Sequence, residues 1–243
     1  MEIKDVGIIL RSTKYRDSSL ILKAITSSNG ILSLIARGVL GKKRTNVPEL
    51  FSSGEIVFVQ QEGRDLSILK EWHSAMQKNE PNLEKYYRNC VMAEVLLRTA
   101  EEGGDVLWEY DLLAPCFTED VPVVPSKILT LFLLRYLEMQ GVGISTRVCQ
   151  QCGSIIENNA ATMKINSGHV VCEACSTQTY KRFKEICNYW NRLEEVDDEL
   201  DNALIVSAES LLLRYLTYHL HVRNPFKTYN SYKNMLLMSN KES

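Results

Sequence analysis

The chain has 243 residues, 45% hydrophobic and 24% charged, with a formal net charge of −2 at pH 7. Such a length suits one large domain or two small ones with an apolar core, and no run of about eighteen apolar residues offers a membrane span. The small net charge excludes a uniformly basic nucleic-acid binder, but residues 1–80 hold 12 Lys/Arg against 9 Asp/Glu while residues 81–243 hold 16 against 21, so a phosphate-binding surface is expected in the first third.

Residues 1 to about 75 read as strands. Val6–Arg11, Leu20–Ile25, Gly30–Ala36, Glu55–Val59 and Leu66–Lys70 are short and rich in β-branched residues. Ser28-Asn29-Gly30 and Glu62-Gly63-Arg64 supply turns. Five strands with a longer link carrying Pro48 suit a small closed barrel of the OB-fold type. Phe58 and Trp72 are expected in its interior; Phe51 is an aromatic that either core packing or base stacking would use.

After Pro81 the hydrophobic period becomes helical, with Asn82 placed to cap the first helix and Gly103-Gly104 to end the run. A second helix is expected from near Ser126 to Gln140, almost wholly apolar and so buried, stopped by Gly141. Thr179–Leu193 carries an apolar stripe of Phe183, Ile186, Trp190 and Leu193, and a last helix is expected over Ala203–His221. The acidic run Glu194–Glu199 between them reads as a solvated link. The expected fold class is α+β: a barrel domain over 1–80 and a helical domain over 81–243, with an inserted element at 147–177.

That inserted element holds the most specific motif, Cys149-Gln150-Gln151-Cys152 followed by Cys172-Glu173-Ala174-Cys175. Each two-residue gap lets both thiolates of a tight turn reach one ion, and the second turn completes a tetrahedron, so one structural Zn2+ is expected. Four protein ligands leave no open position for catalysis, and His169 inside the loop reads as a surface histidine. A disulfide framework fits poorly with seven cysteines and no basic and apolar leader at Met1–Asp5; the expected compartment is the cytoplasm. Cys90, Cys116 and Cys187 are expected to pack as small buried groups.

Catalytic signatures are weak. His73, His169, His219 and His221 lie in different segments without a Ser or Cys at motif spacing. Gly38 to Arg44 has too few residues between its glycines for a Walker loop and lacks the Lys-Ser/Thr ending. A non-enzymatic binding protein is the expected class.

Several short motifs in consistent order resemble the bacterial RecO family of recombination mediators. They are Tyr15-Arg16-Asp17-Ser18-Ser19-Leu20-Ile21, Thr26 to Gly30, Ile35-Ala36-Arg37-Gly38 with the basic Lys42-Lys43-Arg44, and Leu50-Phe51. Phe132 to Leu137 before Gly141, and Pro225-Phe226-Lys227-Thr228 near the end, continue the series. The resemblance implies an N-terminal OB-fold, a helical domain and a zinc element. It also implies binding to single- and double-stranded DNA, strand annealing, and interaction with RecR and single-strand-binding protein, leading to loading of RecA onto coated DNA in a nucleoid-associated cytoplasmic setting.

On this basis Lys14, Arg16, Arg37, Lys42, Lys43 and Arg44 are the expected phosphate contacts on the barrel rim. Arg135 is the candidate for receiving an acidic partner tail, and Arg147, Lys164, Lys181 and Arg182 are placed to give the metal element a secondary docking role. A second class stays open: a zinc-stapled protein-interaction adaptor that does not bind DNA, favoured by the overall acidic balance.

Overall fold

A computed structural model of the chain describes residues 2–40, 47–60, 66–75, 82–100, 107–195 and 201–239. They group into two compact units, Met1–Thr118 and Glu119–Ser243.

In the first unit β1 (Glu2–Tyr15), β2 (Ser19–Thr26), β3 (Gly30–Ala36), β4 (Ser53–Val59) and β5 (Leu66–Ser74) close a barrel in the order β1-β2-β3-β5-β4. All neighbours are antiparallel except β3 and β5, whose parallel pairing of Ser33–Ala36 with Leu66–Leu69 closes the ring. This is the OB-fold expected from the strand pattern. Inside it Ile9, Leu22, Leu34, Ile56, Phe58 and Trp72 pack together, so the two aromatics expected in the core are there. β1 pairs with both β2 and β4, and the sharp approach needs glycine: a Cβ on Gly7 would lie 2.7 Å from the Ile25 carbonyl, and one on its partner Gly54 2.4 Å from that of His73.

Ile8 and Leu10 are as buried as Ile9, so the middle of β1 is covered on both faces. The outer cover comes from α1 (Leu83–Thr99), which packs on β1, and α2 (Leu107–Thr118), which packs on β2. Both helices therefore group with the barrel, whereas the change of period sets the expected boundary at 80/81. Asn82 caps α1 as its position suggests, its side-chain oxygen accepting from the Lys85 amide at 2.9 Å. Phe51 lies outside the barrel interior, with ring centroids 5.9 Å from Tyr86 of α1 and 6.3 Å from Phe117 of α2.

The second unit is built on α3 (Ile128–Met139), entered through a single 3-10 turn at Pro125–Lys127. Its residues Ile128 to Leu133, Tyr136 and Leu137 are all buried, as the apolar run demands, and it packs on α5 (Asn202–His219). α4 (Lys181–Asn191) and α6 (Lys227–Ser239) flank α5, and a hairpin of β6 (Ala160–Lys164) and β7 (His169–Cys172) packs on α4. Asp201 caps α5 by accepting from the Ala203 amide at 2.9 Å. A buried polar chain crosses the unit: Tyr189 donates to Thr130 at 3.0 Å, Thr130 reaches Glu209 at 3.5 Å, and Tyr229 lies 3.4 Å from the other Glu209 oxygen. Lys127, buried in turn, donates to the Glu195 carbonyl at 2.7 Å; residues 196–199 of the expected acidic link lie outside the described residues.

Candidate metal centre and nucleic-acid interface

Two tight turns carry the cysteine pairs. In the first, the Cys149 amide donates to the Ser154 carbonyl at 2.8 Å and the Gly153 amide returns to the Cys149 carbonyl at 2.9 Å. In the second, the amides of Cys175 and Ser176 both donate to the Cys172 carbonyl at 3.1 Å. The β6–β7 hairpin bridges them: Gln150 donates to the Val170 carbonyl at 3.0 Å, and Glu173 to that of Asn159 at 2.9 Å. The result places the four Sγ atoms of Cys149, Cys152, Cys172 and Cys175 within 4.8 Å of one another, a set that can hold one metal ion. His169 is exposed and is not part of the cluster.

The electrostatics favour ligation. The Cys172 amide, 3.4 Å from the Cys149 sulfur, is the main cause holding that thiol down to about 6, against burial that opposes it. Cys152 is also lowered, first through Ser154, whose hydroxyl oxygen is 3.3 Å away. Cys175 goes the other way, to about 12, chiefly through its hydrogen bond with Cys152. Four thiolates this close repel one another, and a bound cation removes the conflict.

The hairpin is fixed to the unit by contacts that the sequence did not announce. His219 Nε2 lies 2.9 Å from the Ile165 carbonyl, and the Tyr180 amide donates to Ala161 at 3.0 Å. Gly168, at φ +68°, sits so close that a Cβ there would fall 2.4 Å from the Tyr215 hydroxyl. Tyr215 and His219, one helical turn apart with rings 4.2 Å between centroids, form the docking surface. The only hint was the aromatic spacing along α5. Of the other cysteines, Cys116 and Cys187 are buried and Cys90 half-buried. Burial pushes the Cys187 thiol up to about 11.

The cations cluster at one end of the barrel. From Arg11 to Tyr15 every residue of β1 is exposed, so the β1–β2 hairpin projects beyond the core. Lys14 pairs with Leu20, Leu20 with Ala36, and Arg37 follows on the next turn. The Leu40 amide donates to the Ser18 carbonyl at 3.0 Å, which ties the Arg37–Leu40 turn to the Arg16–Ser18 turn. Lys14, Arg16 and Arg37 are thus exposed on neighbouring segments of the same barrel end. The Arg16 guanidinium lies 5.2 Å from the Tyr15 ring centroid. Arg11, exposed on the same hairpin, was missed because strand alternation alone does not say where β1 outruns the core. Lys42, Lys43 and Arg44 lie outside the described residues. Arg135, half-buried on α3, makes no ion pair among the described residues; it is in the second unit. Arg182 is compensated by Glu185 at 2.9 Å and Asp201 at 3.5 Å.

Residues 1–76 match the family described as Recombination protein O N terminal. Over 156 residues the chain is 27% identical to the DNA repair protein RecO of Pelodictyon phaeoclathratiforme, covering 61% of this chain and 59% of that one. It is 26% identical over 192 residues to the protein of that name from Lactobacillus acidophilus, and 28% over 177 residues to that from Lactobacillus helveticus, each covering 70% of both chains. The match to the Pelodictyon protein thus spans about three fifths of that relative. The fold and the sulfur cluster define the class, an OB-fold protein with a helical unit and a four-cysteine element able to hold a metal ion. Within that class, the chain is similar to the RecO proteins, at 26–28% identity to the three relatives named.

Proposed function

We propose that the protein is a DNA-repair recombination mediator that works by holding nucleic acid, without making or breaking a covalent bond. The observation that carries the reading is the exposed Lys14, Arg16 and Arg37 on adjoining segments at one end of an OB-fold barrel. Cations there neutralise phosphates and release counterions while carrying no sequence information, which suits action wherever damage occurs. Lys42, Lys43 and Arg44, next in sequence after this end, are assigned to the same surface. Neutralising two strands lowers their mutual repulsion, and holding both raises their local concentration, so annealing needs no acid, base or nucleophile.

In this reading the partners are single- and double-stranded DNA, RecR and single-strand-binding protein, with RecA loaded indirectly and Arg135 offered to an acidic tail. The metal is one structural Zn2+. A tetrahedral zinc–thiolate site with bonds of about 2.3 Å sets sulfurs about 3.8 Å apart. The Cys152 and Cys172 sulfurs are 3.8 Å apart, which supports the fit. Bound there, zinc would supply cross-linking and charge neutralisation, with all four positions taken by Cys149, Cys152, Cys172 and Cys175.

The test is annealing of complementary oligonucleotides coated with single-strand-binding protein. The wild type is expected to accelerate pairing and Lys42→Ala/Lys43→Ala/Arg44→Ala to lose most of the acceleration; no acceleration by the metal-replete wild type would refute the mediator reading. The adaptor alternative predicts no oligonucleotide binding in low salt.

A further inference from the structure

The five barrel strands carry three aromatics, and one of them is not in the core. Phe58 and Trp72 are 0% and 5% exposed, whereas Tyr15, the last residue of β1, is 36% exposed. The pairing explains why. Tyr15 pairs with Ser19 and Arg11 with Lys23, while Ser12 and Lys14 between them pair with Leu22 and Leu20 of the barrel interior. Successive residues of a strand point to opposite faces, so Tyr15 and Arg11 share the outer face of the projecting hairpin. The ring is thereby kept out of the interior.

Its neighbours are cationic and apolar together. Arg16 sits in the left-handed region (φ +54°), which glycine adopts freely and a larger side chain does not. There its guanidinium lies over one face of the Tyr15 ring, 5.2 Å from the centroid. Leu40, 42% exposed, stands on the adjoining turn, tied to Ser18 through its amide. Lys14 and Arg37 complete the surroundings, against one carboxylate in the two turns, Asp17. Cations alone suffice to hold phosphates; an exposed ring and an exposed leucine among them offer a surface that phosphates do not use.

We propose that Tyr15 makes this surface prefer single strands: an unpaired base stacks on its ring while Lys14 and Arg37 hold the flanking phosphates. This role rests on the phosphate-binding surface proposed above and gives it a way to tell the two strand forms apart. Bases in a duplex are stacked on both faces and present only their edges in the grooves, so none reaches the ring without being turned out of the helix. A single strand offers every base. Stacking also tolerates any sequence, because every base has a π-face. For annealing the consequence is release. Once two strands pair, the stack is lost, and the product is held by phosphates alone, more weakly than the strands that entered.

The test uses the metal-replete full chain and fluorescence anisotropy with three labelled probes of equal length: oligothymidine, an abasic sugar–phosphate strand and a duplex. The wild type is expected to bind oligothymidine about tenfold more tightly than the abasic strand. Tyr15→Leu should lower the oligothymidine affinity about tenfold, to the abasic level, with the abasic and duplex affinities and the salt slope kept. Tyr15→Phe, which retains the ring, should bind as the wild type does, and circular dichroism should show both variants folded. In Tyr15→Trp the added indole emission should be quenched by oligothymidine and not by the abasic strand. Equal wild-type affinity for oligothymidine and the abasic strand would overturn the proposal, as would an unchanged oligothymidine affinity in Tyr15→Leu. A parallel loss on all three probes with a shallower slope would also overturn it, since Tyr15 would then only position the cations. No binding of any probe would contradict the phosphate grip itself and the proposal with it, an outcome distinct from phosphate binding retained without dependence on bases.

Discussion

The barrel strands β1 to β5 and the cysteine element at residues 147–177 are both small β structures, but they differ in what can close them. The barrel buries Ile9, Leu22, Leu34, Ile56, Phe58 and Trp72 inside a hydrogen-bonded ring, and two helices cover the apolar outer face of β1 and β2. The cysteine element has a two-stranded hairpin, one isolated bridge between Val148 and Ile155, and four sulfurs at its centre. A two-stranded hairpin is marginal alone. Hydrophobic closure needs many residues; metal closure needs four and a surface to dock on. The barrel should therefore fail by cavity formation and the element by loss of ligand.

The largest effect expected is at the metal. Cys172→Ser, or chelation, should release the ion and expose the Cys149–Cys175 segment to limited proteolysis while the barrel keeps its protection. Zinc stoichiometry and the cleavage map check this. Loss of barrel protection at the same time would contradict the separation of the two regions. Phe58→Ala tests the converse. It should cost about 3–5 kcal/mol of barrel stability in denaturant titration without loss of metal.

Asp5 comes next. Its buried carboxylate accepts from Ser27 and Asn29 side chains, each at 2.6 Å, and from the amides of Val6 at 2.7 Å and Ser28 at 3.2 Å, pinning the β2–β3 turn. Burial pushes its pKa up, but these donors outweigh it and the net direction is down. A depressed folded value contributes stability that is complete above the unfolded value near 3.8 and is lost as pH falls through the folded value. Asp5→Ala should cost about 2–3 kcal/mol at neutral pH, and Asp5→Asn should flatten the acid limb of the stability profile. An unchanged acid limb would remove Asp5 from the account.

Legibility in the sequence followed the same division. The barrel strands, the Asn82 cap and the buried α3 were readable because alternation, capping chemistry and an unbroken apolar run are local signals. The cysteines were readable because ligand spacing is local too. α2 and α6 were not anticipated: α2 carries Pro115 within it, and α6 relies on a stripe of Tyr229, Tyr232 and Leu236 among polar residues. Their place depends on which apolar face needs covering, a tertiary fact. For the same reason the covering of the barrel by α1 and α2 and the docking of Gly168 on Tyr215 emerged only with the fold.

The smallest effects per residue are on the barrel rim, and they bear on the central claim most directly. A labelled oligothymidine titrated at several salt concentrations should give a log–log slope of about −2.8 if four cations engage it, roughly 0.7 per contact. Lys14→Ala/Arg16→Ala/Arg37→Ala should make that slope shallower by about 2. An unchanged slope and affinity in this variant, or no binding by the metal-replete wild type in dilute buffer, would contradict a cationic barrel end that grips phosphates.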